Sequence, residues 1–151
     1  MKKKTLYIDM DNVLVDFKSG LNRVPAAICK DYRKNPDDIP GIFSLMDPCA
    51  GAVKAFQKLS KYFDTYILTT APWENPTAWS DKLLWVKRYL GKPAYKRLII
   101  SHHKNLNKGD FLVDDRKKHG ADEFKGEWLM FGSEKFPDWK VVVKYLLDRT
   151  A

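Results

Sequence analysis

Five short apolar runs rich in β-forming residues punctuate the chain: TLYID (5–9), TYILTT (65–70), RLIIS (97–101), FLVDD (111–115) and EWLMF (127–131). Amphipathic stretches separate them, and that alternation is the pattern of a parallel sheet covered by helices. GAVKAFQKLSKYF (51–63) sets Val53, Phe56 and Leu59 on one helical face. TAWSDKLLWVKRYLG (77–91) sets Trp79, Leu83, Val86 and Leu90 on one face ahead of Gly91. A last helix around 138–148 carries Trp139, Val142, Val143 and Leu146 at helical spacing, the mark of core packing. Residues 16–50 interrupt the alternation with one expected helix (21–33) followed by the turn-rich NPDDIPG. The expected fold is α/β, a parallel sheet flanked by helices built from 1–15 and 51–151, with 16–50 as a small insert above the sheet.

The first run carries a further constraint. In YIDMDNVLVDF (7–17) the strand ends in Asp9, and a second acid follows at Asp11 before any turn signal or helix cap. Buried and unpaired, two carboxylates there would repel each other and carry a large desolvation penalty, so a cation or a reaction must hold them. Other runs end in the same way: Thr69 with Thr70, Ser101 with Lys104 just beyond, and Asp114 with Asp115. Ligands of open parallel sheets bind outside the carboxyl ends of the strands, so these groups are expected to converge. Asp9, Asp11 and Asp114 give three carboxyl groups for one hard cation, and Mg²⁺ is typically held by one or two carboxylates with waters and substrate phosphate. Thr69 can donate its hydroxyl to a phosphoryl oxygen, and Lys104 places positive charge where charge develops in phosphoryl transfer. Taken singly, an acid at a strand end is usually solvated and a threonine usually satisfies backbone. The order acid, Thr, Lys, Asp-Asp at four strand ends is what carries the reading.

In that order the residues resemble the haloacid dehalogenase-like phosphohydrolases, whose four motifs match DMDNV (9–13), ILTT (67–70), Lys104 and LVDD (112–115). Within that superfamily the TTAPW loop, the DKLLWVKRYLG helix and the LIISHHKNLNKGDFLVDDR segment resemble the 5'(3')-deoxyribonucleotidase family. The likeness spans most of the chain outside 16–50. It implies a Rossmann-like haloacid dehalogenase core, with 16–50 a shortened helical cap, and a Mg²⁺-dependent phosphomonoesterase of the cytoplasm acting on a small-molecule nucleotide. It also implies that Asp9 attacks phosphorus to form an aspartyl-phosphate. Asp11 would protonate the leaving alkoxide and later activate water, its backbone carbonyl helping to hold Mg²⁺. Thr69, Thr70 and Lys104 would hold phosphoryl oxygens, and Asp114 would complete the metal site of Asp9 and Asp11. Asp115 would be an outer-shell ligand or an orienting group. Phe17 matches an aromatic that the family uses at that offset, and Phe43 and Trp73 also lie where a ring could stack on a base. Position 102 is His where the family carries Arg.

Composition narrows the alternatives. The formal charge of +8 favours anionic partners, but the lysines are scattered, which is the pattern of a solvated basic surface rather than a nucleic-acid footprint. Cys29 and Cys49 are too few for a disulfide scaffold and read as reduced, and no apolar run reaches membrane-spanning length. His102, His103 and His119 lack the spacing of a transition-metal site. Sugar phosphates or nucleic-acid ends remain open as substrates of the same chemistry. A phospho-receiver module also combines Asp, Mg²⁺, Thr and Lys on a parallel sheet. It carries its acidic pair on the first strand, whereas here the adjacent pair comes last.

Overall fold

The computed structural model describes residues 2–150. From strand β1 (Thr5–Ile8) the chain enters β2 (Val15–Asp16), passes helices α1 (Phe17–Leu21) and α2 (Ala26–Asp31), and returns on β3 (Asp47–Pro48). It continues through α3 (Ala52–Tyr62), β4 (Asp64–Thr69), α4 (Pro76–Tyr89), β5 (Leu98–Ile100), β6 (Phe111–Asp114), β7 (Glu127–Met130) and α5 (Trp139–Leu147). The main sheet has the order β5-β4-β1-β6-β7 with every pairing parallel. Each expected strand is present and the α/β class stands. The chain runs outward from β1 to β4 and β5, then returns to the other side of β1 as β6 and β7. The winding therefore reverses at β1, and a crevice opens at the carboxyl ends there.

The period of two along β1 splits its side chains between two cores. Leu6 and Ile8 join Phe56 and Leu59 of α3 and Trp139, Val142 and Leu146 of α5 on one face, whereas Tyr7 joins Leu68, Leu112, Ala121 and Phe124 on the other. Ala121 begins a 3₁₀ turn (Ala121–Glu123), so a short turn rather than an α-helix meets Tyr7 on that side.

Two local expectations are corrected, and one pairing is added. The helix expected over 21–33 is two pieces, α1 and α2, because Pro25 has no N–H to continue the ladder and disfavours helical geometry at the residue before it. The two-residue strands β2 and β3 pair antiparallel and bring the two ends of the 17–46 stretch together. The stripe that α4 buries is Ala78, Lys82, Trp85 and Val86, while Trp79 and Leu83 of the expected face are partly exposed. Helix position therefore placed a lysine where the hydrophobic pattern put leucine.

The stretch expected as an insert, 16–50, contributes to the larger core. Ile39, Ile42, Phe43 and Met46 are buried in the same cluster as Ile8 and Trp85. Gly20 lets α1 close onto this segment, since a Cβ there would stand 2.8 Å from Met46 Cγ. The start of α4 holds it from the other side. The buried Asn75 side-chain amide donates to the carbonyls of Asp37 (2.9 Å) and Ile39 (3.0 Å), and Gly41 N–H donates to Thr77 Oγ1 at 2.8 Å. Among the described residues no helix is long and apolar enough to cross a membrane.

Candidate active site

At the end of β1 the Asp9 N–H donates to the Val113 carbonyl at 2.9 Å, which keeps Asp9 level with the end of β6 and beside Asp114. The chain then turns sharply. Met10 C=O accepts from the N–H groups of Val13, Leu14 and Val15 at 3.0, 2.8 and 2.9 Å, and Asn12 takes φ +60°, a conformation that Asn tolerates better than most side chains. Asp11 is thereby lifted off the strand onto the shoulder of the turn.

Lys104 sits in a 3₁₀ turn (Lys104–Leu106) tied down by its N–H to the His119 carbonyl at 2.7 Å. Its buried ammonium lies 2.9 Å from Asp9 Oδ1 and 2.5 Å from Asp114 Oδ2. Asp114 Oδ1 accepts from Arg116 N–H at 3.1 Å. One carboxylate oxygen each of Asp9, Asp114 and Asp115 lies within 4.8 Å of the others. Burial pushes the Asp9 carboxyl upward, Lys104 pulls it back, and Asp114 and Asp11 add to the rise. Asp114 rises for the same first reason, and Asp115 is pushed up to about 6 by burial and then by the charge of Asp9. Burial would lower Lys104, but its two carboxylate partners outweigh it and hold the ammonium charged.

The arrangement differs from the expected one in its third acid. The gathered carboxylates are Asp9, Asp114 and Asp115; Asp11 turns its own toward α4, leaving the backbone carbonyl as the part of it that the expected metal set would use. There Asp11 Oδ1 accepts from Lys82 at 2.9 Å, and the same ammonium donates to Thr69 Oγ1 at 2.8 Å and lies 4.6 Å from the Phe43 ring centre. Lys82 has no exposed surface at all. An ammonium taken from water costs several kcal/mol unless its partners are well placed, and here carboxylate, hydroxyl and ring supply them. Lys82 lies within the DKLLWVKRYLG segment that resembles the family, but no role attaches to it there, and the hydrophobic pattern of the helix sets it beside the apolar stripe rather than in it.

The residues present fit a divalent cation. Asp115 Oδ1 is buried without a hydrogen-bond partner, and Arg116 Nε stands 4.0 Å away, too far to bond it. Four carboxylates, Asp9, Asp11, Asp114 and Asp115, face two buried ammoniums, Lys82 and Lys104, with the half-exposed Arg116 beside Asp115, and a cation among the acids would offset the negative charge that remains.

Above this floor lies a cleft of about 260 Å³ whose lining includes Asp9, Asp11, Thr70, Trp73, His102 and Lys104, together with Asp37 from the insert. Thr70 donates its hydroxyl to the Ser101 carbonyl at 2.7 Å, whereas Thr69, fully buried and not among the residues lining the cleft, accepts from Lys82. Of the three aromatics considered for stacking, Trp73 lines the cleft and is 76% exposed. Its ring meets His102 edge-on at 6.0 Å, and His102 meets His119 edge-on at 5.8 Å. Burial first, and then the charge of Lys104, lower the His119 imidazole from its ordinary value. Phe17 and Phe43 are not among the lining residues. They pack edge-on against each other at 5.9 Å, and Phe43 is buried.

Residues 35–137 match a family model described as 5' nucleotidase, deoxy (pyrimidine), cytosolic type C protein. The chain is 58% identical over 144 residues to a protein of Vibrio phage KVP40 provisionally named a 5'(3')-deoxyribonucleotidase, covering 95% of this chain and 85% of that one. It is 28% identical over 178 aligned positions, 98% of each chain, to a Staphylococcus aureus (strain Mu50) protein with the same provisional name. Among solved structures it is similar to the haloacid dehalogenase-type hydrolase YfnB of Bacillus subtilis, whose crystal holds magnesium. The TM-score is 0.64 at 11% identity, with 97% of this chain and 99% of that one covered, a likeness of fold.

Proposed function

The chain belongs to the 5'(3')-deoxyribonucleotidase family, and from that premise we propose that it hydrolyses deoxyribonucleoside monophosphates with Mg²⁺ through an aspartyl-phosphate on Asp9. The observation that carries this reading is the cluster of Asp9, Asp114 and Asp115 within 4.8 Å, bridged by Lys104 at the floor of a cleft with Trp73 in its wall. Asp9, Asp114 and Asp115, with the backbone carbonyl of Asp11, would hold Mg²⁺. When bound, the ion offsets the charge of the acids and of the phosphoryl group.

Asp9 is the nucleophile. Its carboxylate must be ionised to attack, burial opposes that, and Lys104 at 2.9 Å favours the charged form. As the Asp9 oxygen bonds to phosphorus, the bond to the leaving oxygen breaks and Asp11 supplies that oxygen with a proton. Asp11 then takes a proton from the water that hydrolyses the acyl phosphate. Lys104 spends two donors on Asp9 and Asp114 and has a third for a phosphoryl oxygen. The 16–50 segment acts as the cap, reaching the cleft through Asp37.

The cleft is slightly smaller than the roughly 300–1,000 Å³ of typical small-molecule sites. It accommodates phosphate and sugar and leaves the base to the exposed Trp73 ring at the rim. The test is kcat/KM with Mg²⁺ for matched deoxy and ribo monophosphates and a small sugar phosphate. The deoxynucleotide is expected to be preferred. Preference for the sugar phosphate would overturn the substrate and leave the phosphatase chemistry intact.

A further inference from the structure

We propose that Lys82 is the positioning residue for the Asp11 carboxylate and that the insert completes its seat through Phe43. The inference rests on the reading of Asp11 as proton donor and acceptor. An ammonium has three N–H groups. At Lys82 one goes to Asp11 Oδ1 at 2.9 Å, one goes to Thr69 Oγ1 at 2.8 Å, and the third side faces the Phe43 ring at 4.6 Å. With all three directions engaged and no surface exposed, the lysine has no freedom to swing.

Asp11 behaves differently. It stands on a turn rather than in the sheet, lines the cleft, and its side chain is 16% exposed, with Lys82 the ion-pair partner that holds its carboxylate among the described residues. Anchoring Oδ1 leaves Oδ2 as the oxygen that meets the leaving group. The proton passes from Oδ2 to the departing alkoxide as that oxygen separates from phosphorus and the Asp9 to phosphorus bond forms. Stability does not call for a lysine at this place, since an apolar side chain would suit a site with no exposure and a well-packed apolar replacement of a buried ion pair is often neutral or better. Phe43 comes from the insert, so the seat is complete only while the insert is packed on α4.

The test compares the full chain with Lys82→Met, Asp11→Asn and the double variant, all in Mg²⁺, on a deoxyribonucleoside monophosphate and on p-nitrophenyl phosphate. The alkoxide leaving group of the nucleotide needs a proton, and the nitrophenolate does not. Lys82→Met is expected to lower kcat for the nucleotide by about 100-fold with KM changed less than about threefold, within the range of a general acid. The phospho-enzyme burst with the aryl ester should keep at least a third of its rate. Adding Lys82→Met to Asp11→Asn should cost no more than about twofold further, because residues that act through one another are not additive. Lys82→Gln, which keeps a donor for Asp11, should recover at least tenfold of the loss, and it replaces Lys82→Met in the comparison should that variant not fold. Equal losses in the rate of phospho-enzyme formation on both esters, multiplicative losses in the double variant, or an unchanged kcat on the nucleotide would each overturn the proposal. A wild-type chain inactive on deoxynucleotides sinks the substrate reading alone, and any alkyl phosphate it does cleave then takes the nucleotide's place.

Discussion

Lys104 Nζ stands 2.9 Å from Asp9 Oδ1, an ion pair closed between residues 95 apart in the chain and buried on both sides. The same ammonium holds Asp114 at 2.5 Å, so one cation sets the distance between two acids that would otherwise separate.

Replacing that lysine is therefore expected to act on stability and on rate together. Lys104→Met leaves two buried carboxylates without their partner, a change that costs roughly 3–5 kcal/mol at neutral pH, and it removes a charge that stabilises phosphoryl transfer, worth about 10²–10³ in kcat. Thermal melts should show the larger loss in chelator and a partial recovery in Mg²⁺. An equal loss in both would mean that the acids do not share a metal.

The acids also set the pH dependence of metal binding. Burial pushes Asp115 up to about 6 and raises Asp9 as well. Between the ordinary carboxylate pKa near 4 and the folded value near 6, the native protein holds protons that the unfolded chain has released. Without metal, these groups therefore make stability fall as pH rises through that window, and their effect levels off above it. Mg²⁺ requires the ionised carboxylates and must displace those protons in acid. The rise in melting temperature on adding Mg²⁺ should thus be small at pH 5 and full at pH 7.5, and a shift of the same size at both would contradict the assignment of these acids as ligands.

Trp73 is the aromatic with an open face on the cleft. Stacking of a base on such a ring is worth about 1–3 kcal/mol, so Trp73→Ala is expected to raise KM for deoxynucleotides by about 10-fold and to leave inhibition by inorganic phosphate unchanged. Phe17→Ala loosens the contact with Phe43 instead and should show first in the melting temperature. A nucleotide KM more sensitive to Phe17 than to Trp73 would return the base to the place that the sequence suggested.

Much of the molecule was legible in the sequence, for reasons that also explain what was not. The strands could be read because parallel strands are buried on both faces and show as short apolar runs. Asp9 and Asp114 stand out through their order with Thr69 and Lys104 at successive strand ends, since an acid at one strand end taken alone is usually solvated. The turn after β1 could not, because spacing does not say which way a side chain on a turn will point, and so Asp11 was grouped with Asp9 and Asp114 while Asp115 took the place in the cluster. Lys82 was hidden by the same hydrophobic pattern that located its helix. A charged residue beside Leu83 and Leu84 reads as the solvated face, yet those leucines are 42% and 59% exposed and the lysine is inside. Pro25 interrupts the helix that the apolar spacing over 21–33 predicts, since it lacks the N–H that would continue the ladder.

The central claim is that phosphate passes through Asp9. It is tested most directly by acid-quenching the Mg²⁺ enzyme during turnover of a deoxyribonucleoside monophosphate and mapping the phosphorylated peptide by mass spectrometry. Phosphate is expected on Asp9, with Asp9→Asn both unlabelled and without turnover, because an amide cannot accept the phosphoryl group. Label on any other residue, or near-normal turnover by Asp9→Asn, would contradict the account.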